Sequence, residues 1–219
     1  VNSPVRAFGS VSEKLAPGRR ALDVGTGRLD GAGAYVQLPP VVLYRTGDPG
    51  LSFSVWVHYR SFADAGRVFH FVGPDMTPNG LSERQSVFLA TGGTTSELQF
   101  RVRNKASTVA SMLNEAGFYD AAACGPAAGA FCHVVVAIDA RAADANTLGC
   151  ALCMEACING VRLGSPAHGQ LPDQGVAFEG TIGRDPLKSD DEWNYMDGAV
   201  RDLRIFRRGL TEAEAFAIG

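Results

Sequence analysis

The sequence predicts an all-β fold, a sandwich of two antiparallel sheets with one short helix at its C-terminal end. Apolar and polar residues alternate with a period of two in many short segments, and Gly- and Pro-rich turns separate those segments. Helical spacing is scarce. The clearest strand is "LSFSVWVHYR", residues 51–60, which places Leu51, Phe53, Val55, Val57 and Tyr59 on one face. Trp56 lies inside this pattern, and we expect it to belong to the core.

The remaining segments extend the same pattern over one domain, residues 1–219. Further strands are predicted in "RVFHFVG", "SVFLATG", "ELQFRVRN", "CHVVVAID" and "GAVRDLRIF". A run of strands without intervening helices favours a sandwich over an alternating βαβ fold. In "TEAEAFAIG", Thr211 and Glu214 have the spacing of a capping box, which predicts a terminal helix.

Composition argues against several classes of function. The 219 residues are 46% hydrophobic, enough for a substantial core. The net charge is −3, and no run of Lys or Arg exceeds two residues, so we expect no nucleic-acid or anionic-membrane partner. No apolar segment reaches the roughly 18 residues that cross a bilayer. The first 14 residues lack the regions of a signal peptide.

The motifs of common enzymes are also missing, which predicts a chain without catalytic activity. The sequence contains no Gly-x-Ser-x-Gly, and its four histidines are scattered. The glycine-rich "DVGTGRLDGAG" lacks the Gly-Lys-Ser/Thr ending of a phosphate-binding loop, and tight turning explains its glycines.

The segments, in their order, resemble the laminin-G-like, concanavalin A-like lectin/glucanase jelly rolls found in many large secreted proteins. Residues 1–20 match that pattern poorly. The resemblance rests on "ALDVGTGRLDGAGAYVQLP", "LSFSVWVHYR", "FCHVVVAIDA", "CINGVRLGS" and "IGRDPLKSDDEWNYMDGAVRDLRIFRRGLTEAEAFAI". Two positions depart from the family: a Trp-His-His is typical near "FCH", and Asp is common at the position of Arg201.

The resemblance also implies functional properties. Glucanases of this fold carry Glu-x-Asp-x-x-Glu, which is missing here. We therefore expect a non-catalytic, extracellular or cell-surface recognition and adhesion module that binds glycan or protein. The alternative is a structural spacer or assembly domain that contacts neighbouring domains of a larger protein.

The stretch "GCALCMEACING" carries three cysteines, which we interpret as part of a strand followed by a type I′ turn at Asn159-Gly160. Thiolates on one extended strand cannot converge on a tetrahedral metal. If Asp139 lies opposite Cys150 in a hairpin, Cys132 meets Cys157, and we predict a disulfide between them. Cys124 is then left to pair with Cys150 or Cys153. The alternative is that the cysteines are free, small buried apolar residues.

Calcium is the cofactor that the resemblance implies, as a structural ion held by a few carboxylates and backbone carbonyls. The expected ligands come from Asp30, Asp185, Asp190, Asp197 and Asp202. The alternative is that these aspartates cap turns.

Two sets of residues are candidates for ligand binding, because a sugar needs a flat apolar face beside hydrogen-bonding groups. The first set is expected on the loop-bearing rim and consists of Trp193, Asn194 and Tyr195. The second is expected on one sheet face and consists of His58, Arg60, Arg101 and Arg103. An anchoring role for Trp193 at the edge of the sandwich is the alternative.

Overall fold

The computed structural model describes residues 6–8, 12–16, 19–23, 34–62, 66–74, 85–92, 94–103, 110–111, 121–139, 153–168, 171–187 and 195–219. The strands in this part are β1 (Arg6–Phe8), β2 (Ser12–Ala16), β3 (Arg19–Asp23), β4 (Tyr35–Val42), β5 (Gly50–Ser61), β6 (Arg67–Val72), β7 (Ser86–Thr91), β8 (Leu98–Arg103), β9 (Ala110–Ser111), β10 (Cys132–Asp139), β11 (Cys153–Ile158), β12 (Val161–His168), β13 (Ala177–Ile182) and β14 (Asp197–Phe206). Two 3-10 helices, Ala121–Cys124 and Pro126–Ala128, precede β10, and an α-helix spans Glu212–Ile218.

The strands form two antiparallel sheets, which confirms the predicted sandwich. Sheet 1 has the order β1-β4-β13-β6-β7-β8-β9, and sheet 2 has the order β12-β11-β10-β5-β14-β3-β2. Residues 1–20 match the family pattern poorly, but strands from this region join both sheets. β1 pairs with β4 in sheet 1, and β2 pairs with β3 beside β14 in sheet 2.

Phenylalanine rings join the two sheets. Phe53 of β5 in sheet 2 stacks on Phe69 of sheet 1, with ring centroids 4.7 Å apart. Its centroid lies 5.7 Å from that of Phe71 and 6.1 Å from that of Phe100, both also in sheet 1. The other predicted inward residues of β5 are also buried: Leu51, Val55, Val57 and Tyr59. The core therefore lies between the sheets, as the alternating pattern requires.

The terminal helix has the predicted capping box. The Glu214 N–H donates to Thr211 Oγ1, and the Thr211 N–H donates to Glu214 Oε2. The helix packs on the outer face of sheet 2, where Ala215 forms a small apolar cluster with Val135, Cys157 and Leu210.

The β11–β12 hairpin turns at Asn159 and Gly160, whose φ angles are 52° and 78°. Both positive φ values are those of the predicted type I′ turn. A Cβ at position 160 would also lie 2.5 Å from a ring carbon of Phe216 in the terminal helix. Glycine is therefore required by the turn and by the packing of the helix.

The predicted pairing of β10 with β11 is present, but its predicted register is wrong by three residues. Asp139 lies opposite Cys153 rather than Cys150, and Cys157 lies opposite Val135. An odd shift moves side chains to the other face of a sheet. Cys132 therefore points into the core, whereas Cys157 packs on the outer face beneath the terminal helix.

The predicted disulfide between Cys132 and Cys157 is consequently wrong. Cys132 is bonded to Cys124 in the first 3-10 helix, with Cα atoms 5.0 Å apart. Cys157 is free and buried, and burial raises the pKa of its thiol to about 11. The partners suggested for Cys124 are also wrong; Cys150 and the side chain of Cys153 lie outside the described residues.

Candidate functional site

A group of aromatic and basic side chains lies on the outer face of sheet 2, where β5, β10 and β14 run side by side. We call it the sheet 2 patch, and it consists of Trp56, His58, Phe131, His133 and Arg201. Cross-strand register brings these residues together: Trp56 lies opposite His133 on one side and opposite Arg201 on the other. All but His133 are half-buried, so the patch reaches the surface of the protein.

The guanidinium of Arg201 lies between two aromatic rings. Its carbon is 4.5 Å from the ring centroid of Trp56 and 4.5 Å from that of Phe131. The His58 ring is 5.8 Å from Phe131, and the His133 ring is 5.0 Å from Trp56, centroid to centroid. The resulting cation–π contacts hold a positive charge against apolar surface.

His133 is the buried member of the patch. Its Nε2 is 2.7 Å from Ser54 Oγ, and its backbone N–H donates to Asn159 Oδ1 at 2.9 Å. Burial, reinforced by the positive charge of Arg204, lowers the pKa of His133 below its usual value. The imidazole is therefore held neutral, and its ring packs against that of Trp56.

Sequence reasoning missed four of the five residues of this patch, since His58 is the member among its candidates and His133 was counted only as one of four scattered histidines. Trp56 was predicted to belong to the core, but it lies between Val55 and Val57, which point inward. The period of two therefore directs Trp56 outward, and that signal was available. Phe131 and Arg201 were noted only as departures from the family pattern, and their contact depends on the register of three strands.

The four basic candidates do not share one face, so that part of the prediction is wrong. His58 and Arg60 lie on β5 in sheet 2, whereas Arg101 and Arg103 lie on β8 in sheet 1. The two sheets point these side chains to opposite sides of the sandwich because Phe100 and Val102 fill the core between them.

The predicted rim set is described only at Tyr195, because Trp193 and Asn194 lie outside the described residues. Tyr195 is buried, with 5% of its surface exposed. The guanidinium of Arg184 lies 5.8 Å from its ring centroid. Tyr195 therefore packs inside the edge of the sandwich.

A buried charged cluster lies on the outer face of sheet 1. Asp185 accepts a hydrogen bond from Arg67 at 3.1 Å and lies 3.0 Å from His70 Nδ1. The Leu187 N–H also donates to Asp185. Burial by itself raises the pKa of Asp185, but hydrogen bonding to His70 and the charge of Arg67 outweigh it and hold the pKa well below its usual range. Asp185 is therefore ionised, and its negative charge is balanced by Arg67 within the protein.

The described members of the expected calcium set each face basic groups. Asp185 is paired as above, and Asp197 accepts from Arg60 at 2.9 Å and from Ser61 at 2.6 Å. Asp202 lies 3.8 Å from Arg204. Among the residues that the structure describes, no three His, Cys, Asp or Glu side chains form a group that could hold a metal. Calcium stays a prediction, and the other two expected ligands, Asp30 and Asp190, lie outside the described residues.

The family of the chain follows from its sequence as well as its architecture. The Laminin_G_3 family model, described as the concanavalin A-like lectin/glucanases superfamily, matches residues 30–215. The chain belongs to this superfamily. No curated protein sequence matches the chain. In the described part of this laminin-G-like chain, no helix is long and apolar enough to span a membrane.

Solved structures share the fold of this laminin-G-like chain at low sequence identity. Domain 4 of AbnA, a GH43 extracellular arabinanase from Geobacillus stearothermophilus solved with arabinotriose, has a TM-score of 0.63 and 15% identity; the match covers 99% of this chain and 88% of that one. The botulinum neurotoxin serotype D/C binding domain has a TM-score of 0.59 and 16% identity, covering 98% and 46%. The match thus spans less than half of the toxin binding-domain chain.

Proposed function

We propose that this chain is a non-catalytic recognition module that binds glycan through the sheet 2 patch. The observation that carries the proposal is the patch itself, in which half-exposed Trp56 and Phe131 lie beside His58 and Arg201. Aromatic surface next to hydrogen-bonding groups is the chemistry that sugar recognition uses. The similar arabinanase domain, solved with arabinotriose, supports a glycan as the ligand class.

Two of the described carboxylates, Asp185 and Asp197, support a role without catalysis. Glycoside hydrolysis uses two carboxyl groups about 5 to 9.5 Å apart, one of which gives a proton. Asp185, in the connection after β13, forms an ion pair with Arg67 of β6. Asp197 of β14 forms an ion pair with Arg60 of β5. Carboxylates neutralised by arginines are poor proton donors, because the pairing favours their ionised form.

The disulfide supports a secreted or surface-attached setting for this module. Cys124 and Cys132 are bonded and buried, and such bonds persist mainly in oxidising compartments. The same setting suits a domain that meets glycans outside the cell.

The proposal can be tested with a glycan array followed by isothermal titration of the best ligand and of arabinotriose. We expect Phe131→Ala to weaken binding about tenfold or more, because an aromatic contact to a ligand is worth about 1.5 kcal/mol. Phe216→Ala is the matched control, since Phe216 is 72% exposed on the terminal helix and outside the patch. Equal affinity of both variants would move the site elsewhere, and no binding to any glycan would end the proposal.

Tryptophan fluorescence gives a second readout of the same site. The chain has two tryptophans, so Trp193→Phe leaves Trp56 as the only reporter. We expect the emission of Trp56 to change on titration with the ligand. Repeating the titration in EDTA and in added calcium tests whether the expected ion contributes to binding.

An assembly role is the second candidate, and one observation favours it. Val161 and Phe216 are the large hydrophobic side chains described as exposed, at 64% and 72%. They lie at the start of β12, the edge strand of sheet 2, and on the helix that contacts it. If this surface joins copies or neighbouring domains, sedimentation should show self-association that Phe216→Ser abolishes.

A further inference from the structure

The outer face of sheet 2 changes from covered to open partway along β5. The outward positions Ser52 and Ser54 are 0% and 2% exposed. The next outward positions, Trp56, His58 and Arg60, are half-buried and reach the surface. We call these three residues the open strip. Because a strand advances about 3.3 Å per residue, the open strip is about 13 Å long.

The terminal helix covers the closed part of this face. Ser52 Oγ accepts from the Leu210 N–H at 2.9 Å, in the segment that leads into the helix. At the other end of the helix, a Cβ on Gly219 would lie 2.6 Å from His133 Nδ1, so Gly219 lies against the imidazole. The helix therefore runs over the sheet from Ser52 to His133 and ends there.

The end of the helix borders Trp56. His133 lies directly opposite Trp56 in the register of β10 and β5, and their ring centroids are 5.0 Å apart. Gly219 is thus about one strand spacing, roughly 4.8 Å, from the row of outward residues that begins with Trp56. A helix with its side chains is about 10 Å across, so it rises well above the sheet. The open strip is therefore bounded by the helix at Trp56 and extends away from it toward Arg60.

The far end of the open strip is polar. Asp197 accepts from Arg60 at 2.9 Å and from Ser61 at 2.6 Å, and the side chains of Arg60 and Asp197 are 33% and 16% exposed. A carboxylate can accept more than two hydrogen bonds, so Asp197 keeps acceptor capacity for hydroxyl groups. The strip thus offers an aromatic ring beside the helix and hydrogen-bonding groups farther along.

We propose that the sheet 2 patch takes the end of a glycan chain, with the terminal sugar on Trp56 against the helix and the following sugars along His58 and Arg60. The inference rests on the proposed function, because it names the part of the glycan that the same site recognises. It assigns the terminal helix as the element that stops a chain from passing over Trp56.

Arabinotriose and linear arabinan test this geometry on the unmodified protein. A site that takes chain ends binds one protein to each chain of either probe, because the helix blocks the interior of the polymer. A site open in both directions binds several proteins along each arabinan chain. Isothermal titration measures this stoichiometry at saturation, and we expect one protein per chain. The best ligand on the glycan array is compared with its own linear polymer in the same way.

Tethering distinguishes the two ends of the glycan. A trisaccharide attached to a surface through its reducing end presents only its non-reducing end. Retained binding identifies the non-reducing end as the one that meets the helix, and lost binding, with the free trisaccharide still bound in solution, identifies the reducing end.

A variant of the full chain opens the boundary. Ala215 is 1% exposed and packs on Val135 and Cys157 beneath the helix, so Ala215→Glu should lift the helix from the sheet. We expect several Ala215→Glu proteins to bind each arabinan chain. Ala213→Glu is the matched control, because it places the same side chain at an exposed position of the same helix and should keep one protein per chain. Circular dichroism of both variants checks that the sheets stay folded.

The outcomes separate this inference from the proposed function. Several parent proteins on each polymer chain, or one protein per chain in folded Ala215→Glu, would overturn the assignment of the helix. If the polymers bind along their length and Phe131→Ala weakens that binding, the proposed function stands while this inference fails. If no trisaccharide and no polymer binds, both fail.

Discussion

At the level of single residues, His133 connects the sheet 2 patch to the stability of the fold. It is 1% exposed, contacts Ser54, and lies beneath the end of the terminal helix, where a Cβ on Gly219 would be 2.6 Å from its Nδ1. Protonation would place a cation in a site that already has Arg204 nearby. The same group therefore keeps the patch ordered only while it is neutral.

This arrangement predicts a loss of stability in mild acid. Because the folded state lowers the pKa of His133, the unfolded chain binds its proton more readily. The contribution of neutral His133 to the free energy of unfolding is complete above its pKa in the unfolded chain, about 6.5. It is lost as the pH falls below that value toward the lower pKa of the folded state. The urea midpoint should decrease between pH 7 and pH 5.

Two variants test the role of His133 in that decrease. His133→Gln keeps a hydrogen-bonding side chain but cannot titrate, so the slope of stability against pH should become shallower. Ser54→Ala removes the hydroxyl partner and leaves the histidine, so most of the slope should remain. Identical slopes in the parent protein and His133→Gln would assign the pH effect to other groups.

The Cys124–Cys132 bond is the second residue-level prediction. It closes a short loop with a sequence separation of eight, and chain entropy assigns such a loop about 2–3 kcal/mol. The double variant Cys124→Ala/Cys132→Ala should lose about that much free energy of unfolding, measured in urea. Cys157→Ala, at a buried cysteine without a bond, is the control and should lose about 1 kcal/mol. Alkylation of both Cys124 and Cys132 before reduction would contradict the bond.

At the level of elements, hairpin existence could be predicted but hairpin register could not. The alternation in "CHVVVAID" and "CMEAC" identified β10 and β11, and the Asn-Gly pair identified the turn after β11. The register of β10 with β11 depends on where the intervening connection starts and ends. The sequence there contains no short turn that would fix the register of the two strands. A register error of three residues therefore led to Cys157 being predicted as the partner of Cys132, instead of Cys124.

The terminal helix was predictable because its signal is local. Thr211 and Glu214 supply the cap by themselves. The segment that leads into the helix is held by Ser52 of β5, whose hydroxyl accepts from the Leu210 N–H and donates to the Arg208 carbonyl. That long-range anchor has no counterpart in the local sequence. Glu214 additionally pairs with Arg208.

Removal of the cap should loosen this helix selectively. Thr211→Ala deletes the side chain that accepts from the Glu214 N–H, which costs about 0.5–2 kcal/mol. Hydrogen exchange should accelerate in residues 212–218, while the core strands keep their protection. Thr211→Ser retains the hydroxyl and should exchange at nearly the parent rate. Equal exchange in both variants would show that packing on Val135 and Cys157, not the cap, holds the helix.

At the level of the whole molecule, the two layers were predictable, but the assignment of each strand to a layer was not. Periodicity reports which side chains face the core, so Phe53, Phe100 and their neighbours could be identified as buried. It does not report which sheet a strand joins. The grouping of His58 with Arg101 on one face failed for this reason, and so the patch at Arg201 needed the structure.

The inter-sheet phenylalanines lead to the final prediction, which concerns the sandwich as a unit. Phe53 is fully buried and contacts three rings from two strands of sheet 1, β6 and β8, so Phe53→Ala removes packing between both layers at once. Such a truncation costs about 3–5 kcal/mol, a large part of the roughly 5–15 kcal/mol that holds a domain folded. Urea denaturation should show a much lower midpoint than for the parent protein.

The same substitution at an exposed ring isolates the effect of burial. Phe216 is 72% exposed, so Phe216→Ala should change the free energy of unfolding by about 0.5 kcal/mol or less. Fluorescence and circular dichroism should give coincident transitions for both variants if the sheets unfold together. Separate transitions in Phe53→Ala alone would show that the Phe53 ring contacts couple the unfolding of the two layers, and separate transitions in both variants would show that the sheets do not unfold together.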